Sequence, residues 1–244
     1  MQTYKFNMHN QDLEAALKNS LLSYRLKKSG EKQPGATLSA PEAFRTTVQQ
    51  ALETSRVKRD IFEPQQGLNC GLHSVNSILK SQSIPVFTAE TFRTVFRDVI
   101  ERSVCIEDPW LRAATWETLW ESAGGADPAA SGWPGDALVA ALHHCGLETE
   151  YLSSSFSAPG EASQILPQQR AGACAFIVNS GSHWYSFVRV DGKCWWNMDS
   201  LQDSPTRISD LELQRVVERY AWGGGGNKRG ECVIEVKPAP FTAL

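Results

Sequence analysis

The chain lacks the features that most readily assign a function. Its six cysteines, Cys70, Cys105, Cys145, Cys174, Cys194 and Cys232, form no CxxC pair and no Cys/His spacing suited to zinc. A structural metal is therefore not expected, no cofactor is implied, and free thiols in a reducing compartment are the natural reading. No apolar run approaches the roughly 18 residues needed to cross a bilayer. Met1 to Asn10 is polar and has no apolar signal-peptide core. Strong charge of either sign is missing too: the net charge is −3, which gives no electrostatic reason for a nucleic-acid or membrane partner. Tryptophan, with eight copies in the 244 residues, is absent from residues 1–60. The whole chain, 41% hydrophobic and 21% charged, is ordinary for a soluble globular protein. A cytoplasmic monomer is expected, with the nucleus or, for a bacterial effector, a host cytosol as the other settings.

The missing tryptophan marks a boundary. Residues 1–60 read as a helical extension and 61–244 as one larger domain. In the extension, Leu13, Ala16, Leu17, Leu21 and Leu22 line one side of a helix over about 12–28. A Ser/Gly/Lys/Pro linker follows, and Ser39-x-x-Glu42 is a capping box for a second helix over about 41–58. The two helices share the pattern apolar-x-x-Ala-Leu-x-x-Ser. Ala16 and Ala51 lie 35 residues apart, as do Ser20 and Ser55.

Beyond residue 60 the period is first helical and later two. Gln65-x-Gly67-x-x-Cys70 leads into Leu72, Val75 and Leu79 at helical spacing, so Cys70 opens a buried helix ending near Lys80. Helical periodicity returns from Thr88 to about Glu121, broken at Pro109. Asp136–Cys145 is a short helix stopped by Gly146. Strands are expected at Glu148–Ser153, Cys174–Val178, Trp184–Val190, Cys194–Asp199 and Cys232–Val236, the last ending before Pro238, with a helix over Ser209–Trp222. Asp191-Gly192 is a hairpin signal. Helices followed by an antiparallel sheet indicate α+β.

Cysteine at a helix start is where the chain puts its chemistry. The positive end of the helix favours thiolate over thiol. Gln65 can bring its amide beside the Cys70 N–H, making two donors for a developing oxyanion. The base must be one of five histidines. His9 lies in the polar tail, His73 one turn along the same helix in a packing role or a supporting role behind the site, and His143 and His144 in a helix's last turn. His183 remains, at the start of a strand that a rigid ladder would hold. Counted from the Asp191-Gly192 turn, Asp199 comes back near it across the ladder, able to fix the imidazole tautomer.

The blocks Gln65-x-Gly67-x-x-Cys70-x-x-His73-x-x-Asn76-x-Ile78-Leu79, His183-Trp184-Tyr185 and Trp195-Trp196-Asn197-Met198-Asp199-Ser200-Leu201 resemble the Josephin family of deubiquitinating cysteine proteases. The resemblance spans roughly residues 60–238. It implies a papain-like fold, a helical hairpin arm over about 86–133 and hydrolysis at the C-terminal glycine of ubiquitin. Cys70 takes the nucleophile's part, His183 the acid/base, Asp199 the orienting member and Gln65 the oxyanion donor. Asp199 stands where many family members carry Asn, and the hairpin is one residue longer. Trp184 would wall a slot narrow enough for Gly-Gly. The repeat in residues 1–60 resembles the ubiquitin-interacting motif. There Leu13, Ala16 and Ser20, with Ala51 and Ser55 in the second copy, would meet ubiquitin or polyubiquitin. Two other functions fit the same residues: a protease, deamidase or esterase acting on a ubiquitin-like modifier, and a non-catalytic ubiquitin-binding scaffold.

Overall fold

The computed structural model describes residues 40–67, 69–103, 133–152, 172–222 and 231–239. The chain divides into two units, Met1–Asp60 and Ile61–Leu244. In the first, helix α1 spans Ala40–Asp60. Thr46, Thr47 and Thr54 donate their hydroxyls to carbonyls four residues back, so these poor helix formers are accommodated along its flank. The helix expected over 12–28, and Ser39 of the capping box, lie outside the described residues.

In the second unit, helices α2 (Cys70–Ser81), α3 (Ala89–Ser103) and α4 (Gly135–His144) precede strand β1 (Leu147–Leu152). Strands β2 (Ala175–Ser180), β3 (Trp184–Val190), β4 (Cys194–Met198) and β5 (Thr206–Ile208) follow, then helix α5 (Asp210–Trp222) and strand β6 (Glu231–Pro238). All pairings are antiparallel, in the order β1-β6-β2-β3-β4-β5. The α+β class follows. Of the arm expected over 86–133, residues 86–103, which include α3, and Trp133 are described.

Strand alternation sorts the sheet into two apolar faces. Phe176, Val178, Phe187, Trp195 and Val233 face Leu213, Val217 and Ala221 of α5. The residues between them, Ile177, Val188, Trp196, Met198 and Ile234, are just as buried and point to the opposite face. There α2 packs on β3, and α4 on α2. Helix α2 reaches this position because Leu72, Val75, Ile78 and Leu79 are buried together with most of their neighbours. Gly71 makes the approach possible. A Cβ there would lie 3.0 Å from Leu138 Cδ1 and 3.2 Å from Trp133 Cβ.

The Asp191-Gly192 hairpin forms as expected, both residues at positive φ, with Lys193 N–H donating to Val190 C=O. Other boundaries move by a residue or two. Pro238 is a real departure: it ends β6, opposite Leu147, rather than lying beyond the strand. At that point β2 has already ended, at Ala175 opposite Val236, so one side of β6 needs no donor from Pro238. Strand β5 was not expected. It is a three-residue edge with Thr206 and Arg207 exposed, too short to show a period. Helix α5 carries a Ser-x-x-Glu capping box: Ser209 N–H donates to Glu212 Oε2 at 2.7 Å, and Glu212 N–H to Ser209 Oγ at 3.2 Å.

Candidate active site

The site lies where the N-terminus of α2 meets the start of β3 and the end of β4. Asn69 holds the N-cap position of α2 but makes no side-chain cap bond. Its amide works elsewhere, donating to Gln66 C=O at 3.1 Å and accepting from Trp133 Nε1 at 3.3 Å. The first turn of α2 therefore turns its free N–H groups toward the cysteine rather than toward a cap.

Cys70 is buried, and the Trp184 N–H approaches its Sγ at 3.5 Å. Burial alone would push the thiol up. His183 hydrogen-bonding, the Trp184 N–H, the His183 charge and the Gly71 N–H together outweigh it and hold the thiol below its ordinary value. His183 shows the mirror effect. Burial would lower it, but Asp199 and then Cys70 raise it to about 9. His183 Nε2 meets Asp199 Oδ1 at 2.7 Å, so Nδ1 is the nitrogen left for the sulfur. The same Oδ1 accepts the Leu201 N–H at 3.0 Å. Asp199, which burial would push up, is held below the usual carboxylate range by His183, the Leu201 N–H and Gln202. Tyr185 backs the imidazole, its ring nearly parallel to that of His183 with centroids 6.0 Å apart. The Cys70 and His183 shifts both run in the direction that favours thiolate beside imidazolium.

The structure brings Cys70, His183 and Asp199 together. Gln65 is nearby but engaged differently from expectation. Its Nε2 donates to Gly67 C=O at 2.7 Å and its Oε1 accepts from Ser200 Oγ at 3.2 Å. Its own N–H donates to Ser200 C=O at 2.8 Å. One amide hydrogen is left for a ligand. Trp184 is 7% exposed. Its indole packs toward Gly71 and Gly135 and donates from Nε1 to Trp133 C=O at 2.9 Å. Ala51 and Ser55 lie half-buried on α1, beside Leu52, which is 43% exposed. Leu13, Ala16 and Ser20 lie outside the described residues.

Three contributors escaped the sequence reading: Trp133, Ser200 and Glu63. Trp133 ties Trp184 to Asn69, Ser200 ties Gln65 to the Asp199 segment, and Glu63 contacts His73. Only Trp133-Pro134, a bulky aromatic ahead of a helix start, offered a signal. Among the described residues no cluster of His, Cys, Asp or Glu could hold a metal, and the five described cysteines are free thiols.

Residues 65–225 match the Josephin family. The chain belongs to that family. This Josephin domain is a papain-like cysteine protease fold, with its helices packed on an antiparallel sheet. Among curated proteins none matches the sequence. Among solved structures the chain is similar to a double glycine motif protease from an AMS/PCAT transporter, crystallised with the leader peptide. The likeness has 15% identity and a TM-score of 0.34, covering 73% of this chain and 91% of that one.

Proposed function

We propose that this Josephin domain is a deubiquitinase that hydrolyses isopeptide bonds at the C-terminus of ubiquitin through Cys70, His183 and Asp199. The bridging imidazole carries the reading: one nitrogen meets Asp199 at 2.7 Å and the other serves Cys70. Cys70 Sγ attacks the carbonyl carbon after the terminal glycine, and the C=O electrons move onto oxygen. The Cys70 N–H and the free hydrogen of the Gln65 amide donate to that oxyanion. As the tetrahedral centre collapses, the C–N bond breaks and His183 gives its Nδ1 proton to the departing lysine amine. A thioester remains. His183, now neutral, takes a proton from water, the hydroxide adds to the thioester carbonyl, and the thiolate leaves.

In the same reading α1 is a docking helix for ubiquitin, supported by exposed Leu52 beside Ala51 and Ser55. The protein would meet its substrate in a reducing cytosol, in keeping with the unpaired thiols.

A ubiquitin bearing a C-terminal electrophile tests the proposal. Wild type forms a covalent adduct and Cys70→Ala does not. Absence of an adduct on wild type, or labelling of Cys70→Ala, refutes it. Parallel probes built on ubiquitin-like modifiers report whether the substrate is ubiquitin itself. A panel labelled only by another modifier replaces ubiquitin while leaving the chemistry intact.

A further inference from the structure

His73 sits one turn beyond the nucleophile, buried, and takes no part in the chemistry described above. Its surroundings are nonetheless built. The Gln66 N–H donates to His73 Nε2 at 3.1 Å, and His73 Nδ1 lies 3.0 Å from Glu63 Oε2. A backbone amide can only donate, so Nε2 must be unprotonated and the ring hydrogen must sit on Nδ1, facing the carboxylate. Glu63 is itself held. Its Oε1 pairs with Lys80 Nζ at 2.7 Å, and its Oε2 also accepts from Asn76 Nδ2 at 3.3 Å. Burial would push Glu63 up, but His73, Lys80 and Asn76 hold it at about 2, so the carboxylate stays an acceptor at any working pH. Asn76 in turn closes a reciprocal pair with the backbone of Phe87, at 2.9 and 3.0 Å.

This network converges on one peptide. The 65–66 peptide offers its N–H to His73, and the next carbonyl, Gln66 C=O, accepts from Asn69. The other flank of Gln65 is fixed by its own N–H on Ser200 C=O. We propose that His73, as its Nδ1–H tautomer set by Glu63, is a positioning residue that fixes the Gln65–Gln66 peptide and with it the amide donor of Gln65. The inference rests on the oxyanion role assigned to Gln65 in the proposed function. A misplacement of about 1 Å in such a group can cost on the order of 100-fold in rate.

Alkylation and hydrolysis separate this role from a merely structural one. Alkylation of Cys70 by iodoacetamide needs the thiolate but develops no oxyanion. Hydrolysis of a ubiquitin C-terminal fluorogenic amide needs both. His73→Ala is expected to lower kcat by about 10- to 100-fold with KM nearly unchanged, while the alkylation rate and its pH profile stay as in wild type. His73→Gln, whose Oε1 reaches the Nε2 position and can accept the Gln66 N–H, is expected to recover most of the loss. His73→Asn, which reaches only the Nδ1 position, is not. The inference is overturned if His73→Ala keeps its kcat, if hydrolysis and alkylation fall together in the Ala and Gln variants, or if Asn rescues as well as Gln. Long-range ¹H–¹⁵N spectra of the wild type provide a readout independent of substrate. The Nδ1–H tautomer at His73 is expected, and Nε2–H overturns the inference. A wild type that alkylates quickly but turns over no ubiquitin substrate refutes the proposed substrate, and the tautomer still decides the placement of His73.

Discussion

Replacing Asp199 tests the electrostatics of the site most directly. The carboxylate lies 2.7 Å from His183 Nε2, and both side chains are largely shielded from water, 19% and 16% exposed. A full opposite charge at that range shifts a pKa by about 1–3 units, each unit corresponding to about 1.4 kcal/mol. Removing an anion from beside an imidazolium disfavours the charged form, so the pKa falls. Asp199→Asn should therefore move His183 from about 9 to about 6–8. The active form needs imidazolium beside thiolate, so the alkaline limb of the pH–rate profile moves down by the same amount. The maximal rate should survive better than in other triads of this kind, for a geometric reason. The Leu201 N–H donates to Oδ1 at 3.0 Å, the oxygen that meets His183. An asparagine amide oriented by that donor still presents oxygen to the ring and keeps its tautomer. We expect roughly a tenfold loss for Asn and 100-fold or more for Ala, which leaves the ring unoriented. Hydrolysis of a ubiquitin C-terminal fluorogenic amide from pH 5 to 10 measures both quantities. An alkaline limb that stays near 9 in the Asn variant, or an Asn variant as damaged as Ala, refutes the reasoning.

Three further outcomes follow from packing and burial. Gly71→Ala sets a methyl 3.0 Å from Leu138 Cδ1 and 3.2 Å from Trp133 Cβ, the latter with little room to yield. It should cost about 1–3 kcal/mol in a denaturant melt and more than tenfold in Cys70 alkylation, whereas an unchanged alkylation rate would show that α2 is free to shift. Trp184→Phe loses the 2.9 Å bond to Trp133 C=O and leaves a buried acceptor unpaired. A fall of about 1–3 kcal/mol is expected in the same melt, and a variant as stable as wild type would mean that water replaces the indole. Glu235 is fully buried in the sheet, its pKa raised by burial against the weaker pull of Lys237 at 3.0 Å. A raised folded-state pKa contributes stability below the unfolded value, near 4.5, which is lost as pH rises through the folded one. Glu235→Gln should then melt higher than wild type at pH 7.5, with the difference closing toward pH 4; a destabilised variant at pH 7.5 would show that the Lys237 pair dominates.

What the sequence made legible is what local chemistry determines. Cys70 at a helix start, His183 at a strand start and Asp199 across a hairpin are each announced by neighbours within a few residues. The positive-φ turn at Asp191-Gly192 fixes which residues of β3 and β4 face each other, with Ser186 opposite Met198. His183 and Asp199 therefore fall near one another just beyond the paired residues rather than directly opposite. Long-range structure was not legible. Nothing in Glu231–Pro238 says that it lies between β1 and β2, because that order depends on pairing partners far along the chain. The Trp133 and Ser200 hydrogen bonds cross 64 and 135 residues respectively and leave no periodic trace. The sequence leaves His73 between packing and a supporting role because its partner, Glu63, lies in an irregular segment where no spacing rule applies. Strand β5 and the α5 capping box differ in legibility. The strand is too short to show alternation, whereas Ser209-x-x-Glu212 carries the capping-box spacing in the sequence itself.

The stretch Asp199–Ser200–Leu201 orients the histidine through Asp199, steadies that aspartate through Leu201 and anchors Gln65 through Ser200. During synthesis this stretch emerges well over a hundred residues after the nucleophile. Until it docks, Cys70 has neither its imidazolium partner nor an anchored Gln65 and remains a thiol of ordinary reactivity. A growing or truncated chain ending before the last hairpin is thus chemically silent. The hazard of an exposed, activated thiolate arises only once the fold that shelters it is in place.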